Sequence, residues 1–220
     1  MLKERLEAIQ ERIAHAAARA GRRGDHITLL AVTKKFPAET IAAAAELGIR
    51  DFGENYVQEF EGKRAALAGL SGARFHFIGH LQANKARKAV ELFDVLQTVD
   101  SARLAERLNQ AATAPLDVMI EVRLSPEEAK AGVSPEDLPP LVAAVRACAN
   151  LRLRGLMTMP PWSEEAEPSR PYFRRLRELA GDHALSGLSM GMSHDFEVAI
   201  EEGATLIRIG TALFGPRRRE

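Results

Sequence analysis

A lysine at the end of a strand-like run is the residue in this sequence best placed for covalent chemistry. Lys34 follows an aliphatic and β-branched run at 29–33, and Pro37 opens a helical pattern after it. Lysine is seldom buried without a partner, so an amine at the mouth of a core strand is costly unless it has a use. A partly desolvated lysine has a lowered pKa and can attack an aldehyde to form a Schiff base. The alternative is that Lys34 and Lys35 mark a solvated strand end, and this segment alone favours that alternative.

Two later turns have the residue types of a phosphate-binding site. One runs from a strand into a helix start at 189–195, with Ser193 or Asp195 as the candidate N-cap. The other follows the last strand at Gly210 and Thr211. Such strand-to-helix turns present backbone N–H groups, which bind anions. Ordinary helix caps and a turn glycine explain the same residues, so the turns alone leave both interpretations open.

Motif searches argue against several other kinds of site. The sequence has no Walker loop, no G-x-G-x-x-G and no G-x-S-x-G elbow. Its 6 histidines show neither an H-E-x-x-H pattern nor Cys/His ligand spacing, so we expect no metal.

The elements that would position these residues alternate along the chain. An amphipathic helix opens the sequence, with Leu2, Leu6, Ile9 and Ile13 at helical spacing, and ends near Gly21. Strand-like runs then lie at 27–33, 50–53, 74–79, 95–99, 117–122, 151–157, 187–192 and 205–209. Helical patterns separate them at 38–47, 57–67, 84–92, 102–112, 135–149, 169–180 and 195–201.

This alternation predicts parallel strands joined by right-handed crossovers, and about eight such units close a barrel. An open doubly wound sheet is the alternative, but eight regular units favour closure. The irregular stretch at 160–165 is predicted to form a mobile loop over one barrel mouth. Chemistry in a barrel takes place at the C-terminal ends of the strands, where polar groups gather in this sequence. These positions are Lys34, Glu54, Asn55, His80, Gln82, Asp100, Arg123, Met157, Thr158, Ser193, His194, Arg208, Gly210 and Thr211.

Composition and charge narrow the class of protein. The chain has 220 residues, is 46% hydrophobic and 27% charged, and has 30 Lys+Arg against 30 Asp+Glu. This charge balance argues against binding to nucleic acid or to a membrane surface, and no stretch approaches the length of an apolar membrane span. The single Cys148 cannot form an internal disulfide, and residues 1–5 have no apolar signal core. We therefore expect a cytoplasmic protein with one domain over residues 1–220.

With these residues in view, the chain resembles the pyridoxal phosphate homeostasis protein family, which are small relatives of the alanine racemase barrel. Ordered motifs on most of the strands carry the resemblance, and it covers nearly the whole chain. They lie at 30–34 (Leu-Ala-Val-Thr-Lys), 52–59, 76–85, 155–159 (Gly-Leu-Met-Thr-Met), 188–196 (Leu-Ser-Met-Gly-Met-Ser-His-Asp-Phe) and 207–215. The resemblance implies the α/β class and a single (β/α)8 TIM barrel of the alanine racemase type, with an extra N-terminal helix at 1–21.

The resemblance also implies a cofactor, pyridoxal 5'-phosphate (PLP), bound as a covalent aldimine to Lys34. The lysine of the family follows a Val-Ser/Thr pair, and here that pair is Val32 and Thr33. Lys35 is the only local competitor. Adjacent strand residues face opposite sides, so only one of the two lysines can enter the site.

Further site residues follow from the same resemblance. It implies that Ser193, Gly210 and Thr211 hold the cofactor phosphate and that Arg208 faces the pyridine nitrogen. Contacts to the ring are expected from two more residues, Asn55 and Met157.

An arginine opposite the ring nitrogen bears on whether the protein is an enzyme. A guanidinium cannot accept a proton, so the nitrogen would stay unprotonated and the ring would be a weaker electron sink. Racemases of this fold add a tyrosine base from a second domain and a partner subunit, whereas this chain has only Tyr56 and Tyr172. The resemblance therefore implies a monomeric carrier that buffers PLP and delivers it to PLP-dependent apoenzymes. A low-activity amino-acid racemase and a cofactor-free barrel enzyme for a phosphorylated metabolite are the alternatives.

Two positions qualify the resemblance. The family often has a second lysine where this chain has Phe36, so release or relay of the cofactor would differ here. Lys130 matches a family lysine on the loop after the fifth strand, where it would act as a second, transient cofactor amine. A solvated loop lysine is the alternative.

Overall fold

The computed structural model describes residues 1–125 and 131–216, and within them eight parallel strands form a closed barrel in sequence order. The strands are β1 (Thr28–Val32), β2 (Asp51–Glu54), β3 (Arg74–Phe77), β4 (Val95–Val99), β5 (Leu116–Glu121), β6 (Leu151–Met157), β7 (Gly187–Met192) and β8 (Leu206–Ile209). β1 pairs with both β2 and β8, which closes the ring. The closed barrel is confirmed, and the open sheet is wrong.

Helices follow the strands around the outside of the barrel. They are α1 (Leu2–Arg19), α2 (Ala38–Glu46), α3 (Val57–Arg64), α4 (Ala86–Leu92), α5 (Ala102–Ala111), α6 (Leu138–Ala147), α7 (Arg170–Asp182), α8 (Phe196–Glu201) and α9 (Thr211–Phe214). Short 3-10 turns occur at Gly24–His26, Ala83–Lys85 and Glu167–Ser169. The helix predicted from 135 begins three residues later, because Asp137 N donates to Ser134 Oγ at 3.2 Å and closes a turn first.

The predicted N-terminal helix is present as α1, and it packs on α8. Arg12 pairs with Glu197 at 2.8 Å, and Arg19 pairs with Glu201 at 2.7 Å. The helix ends before Gly21, whose φ of 66° suits a residue without a side chain. None of the helices in the described part of the chain is both long and apolar enough to cross a membrane.

The two faces of the barrel strands have different characters. Outward-facing side chains form the main core under the helices. There the Phe60 ring lies between those of Phe75 and Phe93, with its centroid 4.7 and 4.8 Å from theirs. Inside the barrel the apolar cluster is small, and polar side chains share the interior with it. The apolar members are Leu30, Val32, Ile78 and Leu206. Buried polar side chains of the strands include His76, Gln97, Glu121, Ser189 and Arg208. Such groups stay buried only where hydrogen bonds compensate them, so the interior is built around a polar network.

Candidate functional site

A cavity of about 220 Å³ at the C-terminal mouth of the barrel brings most of the predicted site residues together. The predicted residues that line it are Lys34, Asn55, Ser193, Arg208, Gly210 and Thr211. The rest of its wall is Val32, Ile78, Met159, Trp162, Met192 and His194. The volume is below the ~300–1,000 Å³ of pockets for drug-sized ligands, so the cavity suits a small molecule with a single ring.

Met157 lies outside this lining. It is fully buried at the end of β6, in register with Glu121 of β5 and Ser189 of β7. Met159, two residues later and 40% exposed, reaches the cavity instead. The sequence did not separate the two methionines because only their depth in the barrel differs. Contact of Met157 with a bound molecule stays a prediction.

A larger cavity, about 910 Å³, is at the other end of the barrel. It lies between α1 and the starts of β1 and β2, and its wall includes Gln10, Arg50 and Asp51. None of the predicted site residues lines it. We place the candidate site at the smaller cavity, because reactive side chains converge there from several strands.

Strand alternation directs Lys34 into the cavity. Leu30 and Val32 point into the barrel, and Lys34 shares their face. Lys35 has a φ of 63° and an exposed side chain, and its backbone N–H donates to Glu59 Oε1 at 2.6 Å. This left-handed residue turns the chain out of the strand, so Lys34 is the amine that reaches the cavity.

A buried charge cluster holds the turn that contains Lys34. Glu54 is fully buried, and its Oε1 accepts from Thr33 Oγ1 at 2.8 Å and from Lys63 Nζ at 3.0 Å. Lys63 Nζ also donates to Thr33 O at 3.2 Å and to Glu59 Oε1 at 2.6 Å. Burial raises the pKa of Glu54 against the opposing attraction of Lys63. These contacts join β1, β2 and α3 on the outer side of the strand end.

Phe36 ties the same turn to α9. Its ring centroid lies 5.2 Å from that of Phe214, with the planes at 43°. At the position of the second family lysine the chain therefore makes an apolar contact beside Gly210 and Thr211. Lys130, the other predicted amine, lies outside the described residues.

Ser193 joins the turns after β7 and β8. Its Oγ accepts from the backbone N–H of Gly210 at 3.3 Å and of Ala212 at 3.2 Å. Asp195 occupies the N-cap position of α8, and its Oδ1 accepts from the backbone N–H of Met192 at 2.6 Å. With two donors on its oxygen, Ser193 has its hydroxyl hydrogen left to donate. Because α9 has only 4 residues, this turn offers an anion hydroxyls and backbone N–H groups and little helix dipole.

Two residues of the cavity wall have buried polar atoms without a hydrogen-bond partner among residues 1–125 and 131–216. They are Asn55 Oδ1 and His194 Nε2. His194 Nε2 lies 3.4 Å from Asp195 Oδ2 but without hydrogen-bonding geometry. Buried polar atoms are nearly always satisfied, so each marks a place where a water or a bound molecule would complete the bonding. Gly79 allows the chain to pack behind Asn55, since a Cβ there would lie 2.2 Å from Asn55 O.

Arg208 brings a buried positive charge to the cavity. Its Nη1 donates to Ser189 Oγ and its Nη2 to Thr158 O, both at 2.8 Å. Burial lowers the pKa of Arg208 to about 10, against the attraction of Asp195 and Glu121. The guanidinium therefore stays charged at neutral pH.

Glu121, at the end of β5, interacts electrostatically with Arg208 of the cavity wall, and the sequence did not identify it as a candidate residue. It is 3% exposed, and burial raises its pKa to about 7, although the positive charge of Arg208 lowers it. The negative charge of Asp100 raises it further. The only signal in the sequence is an acidic residue within a strand-like run, which is too common to be specific.

Glu121→Gln is expected to gain stability relative to the wild type as the pH rises. A carboxyl whose pKa is raised by folding contributes stability at low pH and loses it as the pH rises through the folded value. The stability difference between variant and wild type should therefore grow by up to about 3 kcal/mol from pH 5 to pH 8. Urea unfolding at both pH values measures this. Glu178→Gln, at a surface ion pair with Arg175, is the control, and a pH-independent difference for Glu121→Gln would contradict the assignment.

The mouth of the cavity has an exposed aromatic residue. Trp162, in the predicted loop at 160–165, is 72% exposed and yet lines the cavity. The two tyrosines are elsewhere: Tyr56 is 49% exposed and Tyr172 lies in α7, and neither is part of the wall. Among residues 1–125 and 131–216, the cavity wall thus supplies one lysine and one histidine as proton-transfer groups, and no tyrosine.

Comparison with known proteins agrees with this arrangement. Residues 5–218 match the family described as alanine racemase, N-terminal domain. The pyridoxal phosphate homeostasis protein of Pseudomonas aeruginosa is 48% identical over 219 residues, which cover 97% of this chain and 95% of that protein.

Solved structures agree as well. PipY of Synechococcus elongatus with PLP bound is 38% identical, with a TM-score of 0.86 over 98% of this chain and 100% of that one. The alanine racemase of Corynebacterium glutamicum, at 19% identity, has a TM-score of 0.70 over 97% of this chain and 62% of that one. The racemase therefore shares the fold.

Proposed function

The chain belongs to the pyridoxal phosphate homeostasis protein family, and we propose that it binds PLP as a Schiff base with Lys34 and delivers it to other proteins. One observation carries the proposal most directly. Lys34 lines the same small cavity as the turn of Ser193, Gly210 and Thr211. A ring that carries both an aldehyde and a phosphate could therefore react with the lysine amine and bind the turn at the same time. PipY, a relative of similar length, has been solved with PLP bound.

The residues of the cavity fit this cofactor. Asn55 Oδ1 and His194 Nε2, which have no hydrogen-bond partner among the described residues, offer hydrogen-bonding positions on the wall, and the Ser193 hydroxyl hydrogen is left to donate. Val32, Ile78 and Met192 offer apolar surface for a ring. PLP would supply the aldehyde carbon with which a lysine amine condenses.

The charge of Arg208 favours storage over catalysis. A guanidinium donates hydrogen bonds and cannot take a proton from a ring nitrogen, so it leaves a bound pyridine ring a weak electron sink. In the part of the chain that the structure describes, the cavity wall has no tyrosine to act as a second base opposite Lys34. A stable adduct that forms and reverses by transfer of the aldehyde to another amine suits a carrier.

The remaining parts of the proposal concern the setting of the protein. We treat residues 1–220 as one PLP-binding unit that works as a monomer in the cytoplasm. The recipients would be PLP-dependent apoenzymes, whose own lysines accept the aldehyde. The exposed Trp162 at the cavity mouth would then lie on the path by which PLP leaves.

One experiment separates a carrier from a racemase. The PLP-loaded protein is incubated in deuterated water with L-alanine in one sample and with an apo-aminotransferase in a separate sample without L-alanine. A racemase must deprotonate one face of the substrate carbon and reprotonate the other, which needs two positioned groups. We expect the aminotransferase to regain activity, while L-alanine keeps its configuration and its α-hydrogen.

The contrary results are also specific. Multi-turnover exchange of the α-hydrogen together with D-alanine would favour the low-activity racemase and reject the pure carrier. PLP that stays bound in the presence of the aminotransferase would reject delivery. Free PLP at the same concentration is the control for spontaneous loading of the aminotransferase.

A further inference from the structure

A chain of hydrogen bonds crosses the barrel interior from Arg208 to the opposite mouth. Arg208 Nη1 donates to Ser189 Oγ at 2.8 Å, and Ser189 Oγ donates to Gln97 Oε1 at 2.6 Å. Gln97 Nε2 lies 2.9 Å from His76 Nδ1, and His76 Nε2 lies 2.8 Å from Asp51 Oδ1. The side chains come from β8, β7, β4, β3 and β2, and all but Asp51 are at most 3% exposed. Of these residues, only Arg208 lines the site cavity.

Each bond of this chain has a defined direction. Arginine can only donate, so Ser189 accepts from it and sends its own hydrogen to the Gln97 carbonyl. The Gln97 amide nitrogen must then donate to His76 Nδ1, which makes that nitrogen an acceptor. His76 is therefore the neutral tautomer with its hydrogen on Nε2, donated to the Asp51 carboxylate. All four bonds run from Arg208 toward Asp51.

The far end of the chain is anchored by charge. The Asp51 side chain is 19% exposed at the wide cavity under α1, and Arg74 Nη1 lies 4.0 Å from its Oδ1. A carboxylate oxygen can only accept, so Asp51 Oδ1 takes the hydrogen of His76 Nε2. That fixes the tautomer of His76, and the tautomer fixes which way the Gln97 amide faces.

The near end responds to that orientation. If Gln97 faced the other way, Ser189 would meet donors from both Gln97 and Arg208, and its own hydrogen would lose the carbonyl acceptor. The guanidinium has a second anchor, Thr158 O, and two anchors hold its plane in one position. A buried donor without an acceptor costs free energy, so this series of hydrogen bonds favours one position of the Arg208 guanidinium.

We propose that Gln97 and His76 are positioning residues for the PLP site, which hold the Arg208 guanidinium toward the cavity through Ser189 without touching the cofactor. The inference rests on the proposed function, because Arg208 matters here as the group that faces a bound ring. It adds to that function a barrel-crossing support that starts at the opposite mouth.

The test compares loaded wild-type protein with Gln97→Leu, which removes both hydrogen bonds of the amide at similar volume. After borohydride reduction, peptide mass spectrometry should still find PLP on Lys34 in this variant. That result would show that the adduct still forms. We expect the absorbance maximum of bound PLP to change and the midpoint of its pH titration to move by about half a unit or more. The affinity for PLP should fall about tenfold. Ser189→Ala, which removes one oxygen, is expected to shift the band in the same direction.

Thr98→Val is the matched control. Thr98 follows Gln97 on β4, is 2% exposed, and donates to Gly79 O at 2.6 Å outside this chain of bonds. It should lower stability without moving the band. An unchanged band in both Gln97→Leu and Ser189→Ala would overturn the inference, as would an equal shift in Thr98→Val. Absence of any near-visible band in the wild type would instead reject the proposed function.

Discussion

Lys34→Ala is expected to abolish the near-visible absorbance of the PLP-loaded protein and the trapping of PLP by borohydride. Both signals require an amine that condenses with the aldehyde, and strand alternation puts Lys34 on the interior face with Leu30 and Val32. The loss should be complete, because no other amine lines the cavity among the described residues. Absorbance spectra before and after borohydride, followed by peptide mass spectrometry, measure it.

Lys35→Ala is the matched control and should leave both signals intact. The Lys35 side chain is exposed, and the hydrogen bond to Glu59 uses its backbone N–H, which alanine keeps. Lys63 is the other lysine near this turn, but Glu54 and Glu59 hold its amine. A reduced label found on Lys35 or Lys63 would overturn the assignment of Lys34.

The fold could be predicted because its signals are local. β4, β6 and β7 have the predicted bounds, since apolar residues recur at short spacing along each of them and turn or helix signals flank it. The number of alternating units then determined closure. The misplaced start of α6 was also local, but it depended on the hydrogen bond between Asp137 and Ser134, which a hydrophobic pattern does not reveal.

The convergence of Lys34, Asn55, Ser193, Arg208, Gly210 and Thr211 on one cavity was predictable from two facts. Parallel strands have their C-terminal ends at the same mouth, and the resemblance marked these positions. The depth of a residue inside the barrel was not predictable from the sequence. For this reason Met157 was predicted to contact the ligand, whereas Met159 is the one of the two that lines the cavity.

The hydrogen-bond network inside the barrel could not be predicted from the sequence for a different reason. Gln97 and Ser189 are 92 positions apart, and each is an ordinary polar residue in a strand-like run. Only closure of the barrel brings β4 opposite β7. The raised pKa of Glu121 likewise depends on burial, which composition does not report.

Removal of the phosphate from the ligand is expected to weaken binding by about 100-fold or more, since several donors of the turn would lose a charged acceptor. The Ser193 hydroxyl already accepts from Gly210 N and Ala212 N, so its hydrogen is directed away from them. Thr211 adds a second hydroxyl on the cavity wall. Titration of the protein with PLP and with pyridoxal, both followed by the near-visible band, measures the ratio.

A variant locates this discrimination in the turn. Thr211→Val should lower the affinity for PLP about tenfold and leave the affinity for pyridoxal unchanged, because the lost hydroxyl serves only the phosphate. Thr205→Val is the control: its hydroxyl accepts from Leu188 N at 2.8 Å at the start of β8, away from the cavity, and should alter neither affinity. Equal binding of the two ligands by the wild type would remove the phosphate site from the proposed function. Lys34 and the ring contacts alone would then hold the ligand, and the joined turns after β7 and β8 would serve only to close the barrel mouth.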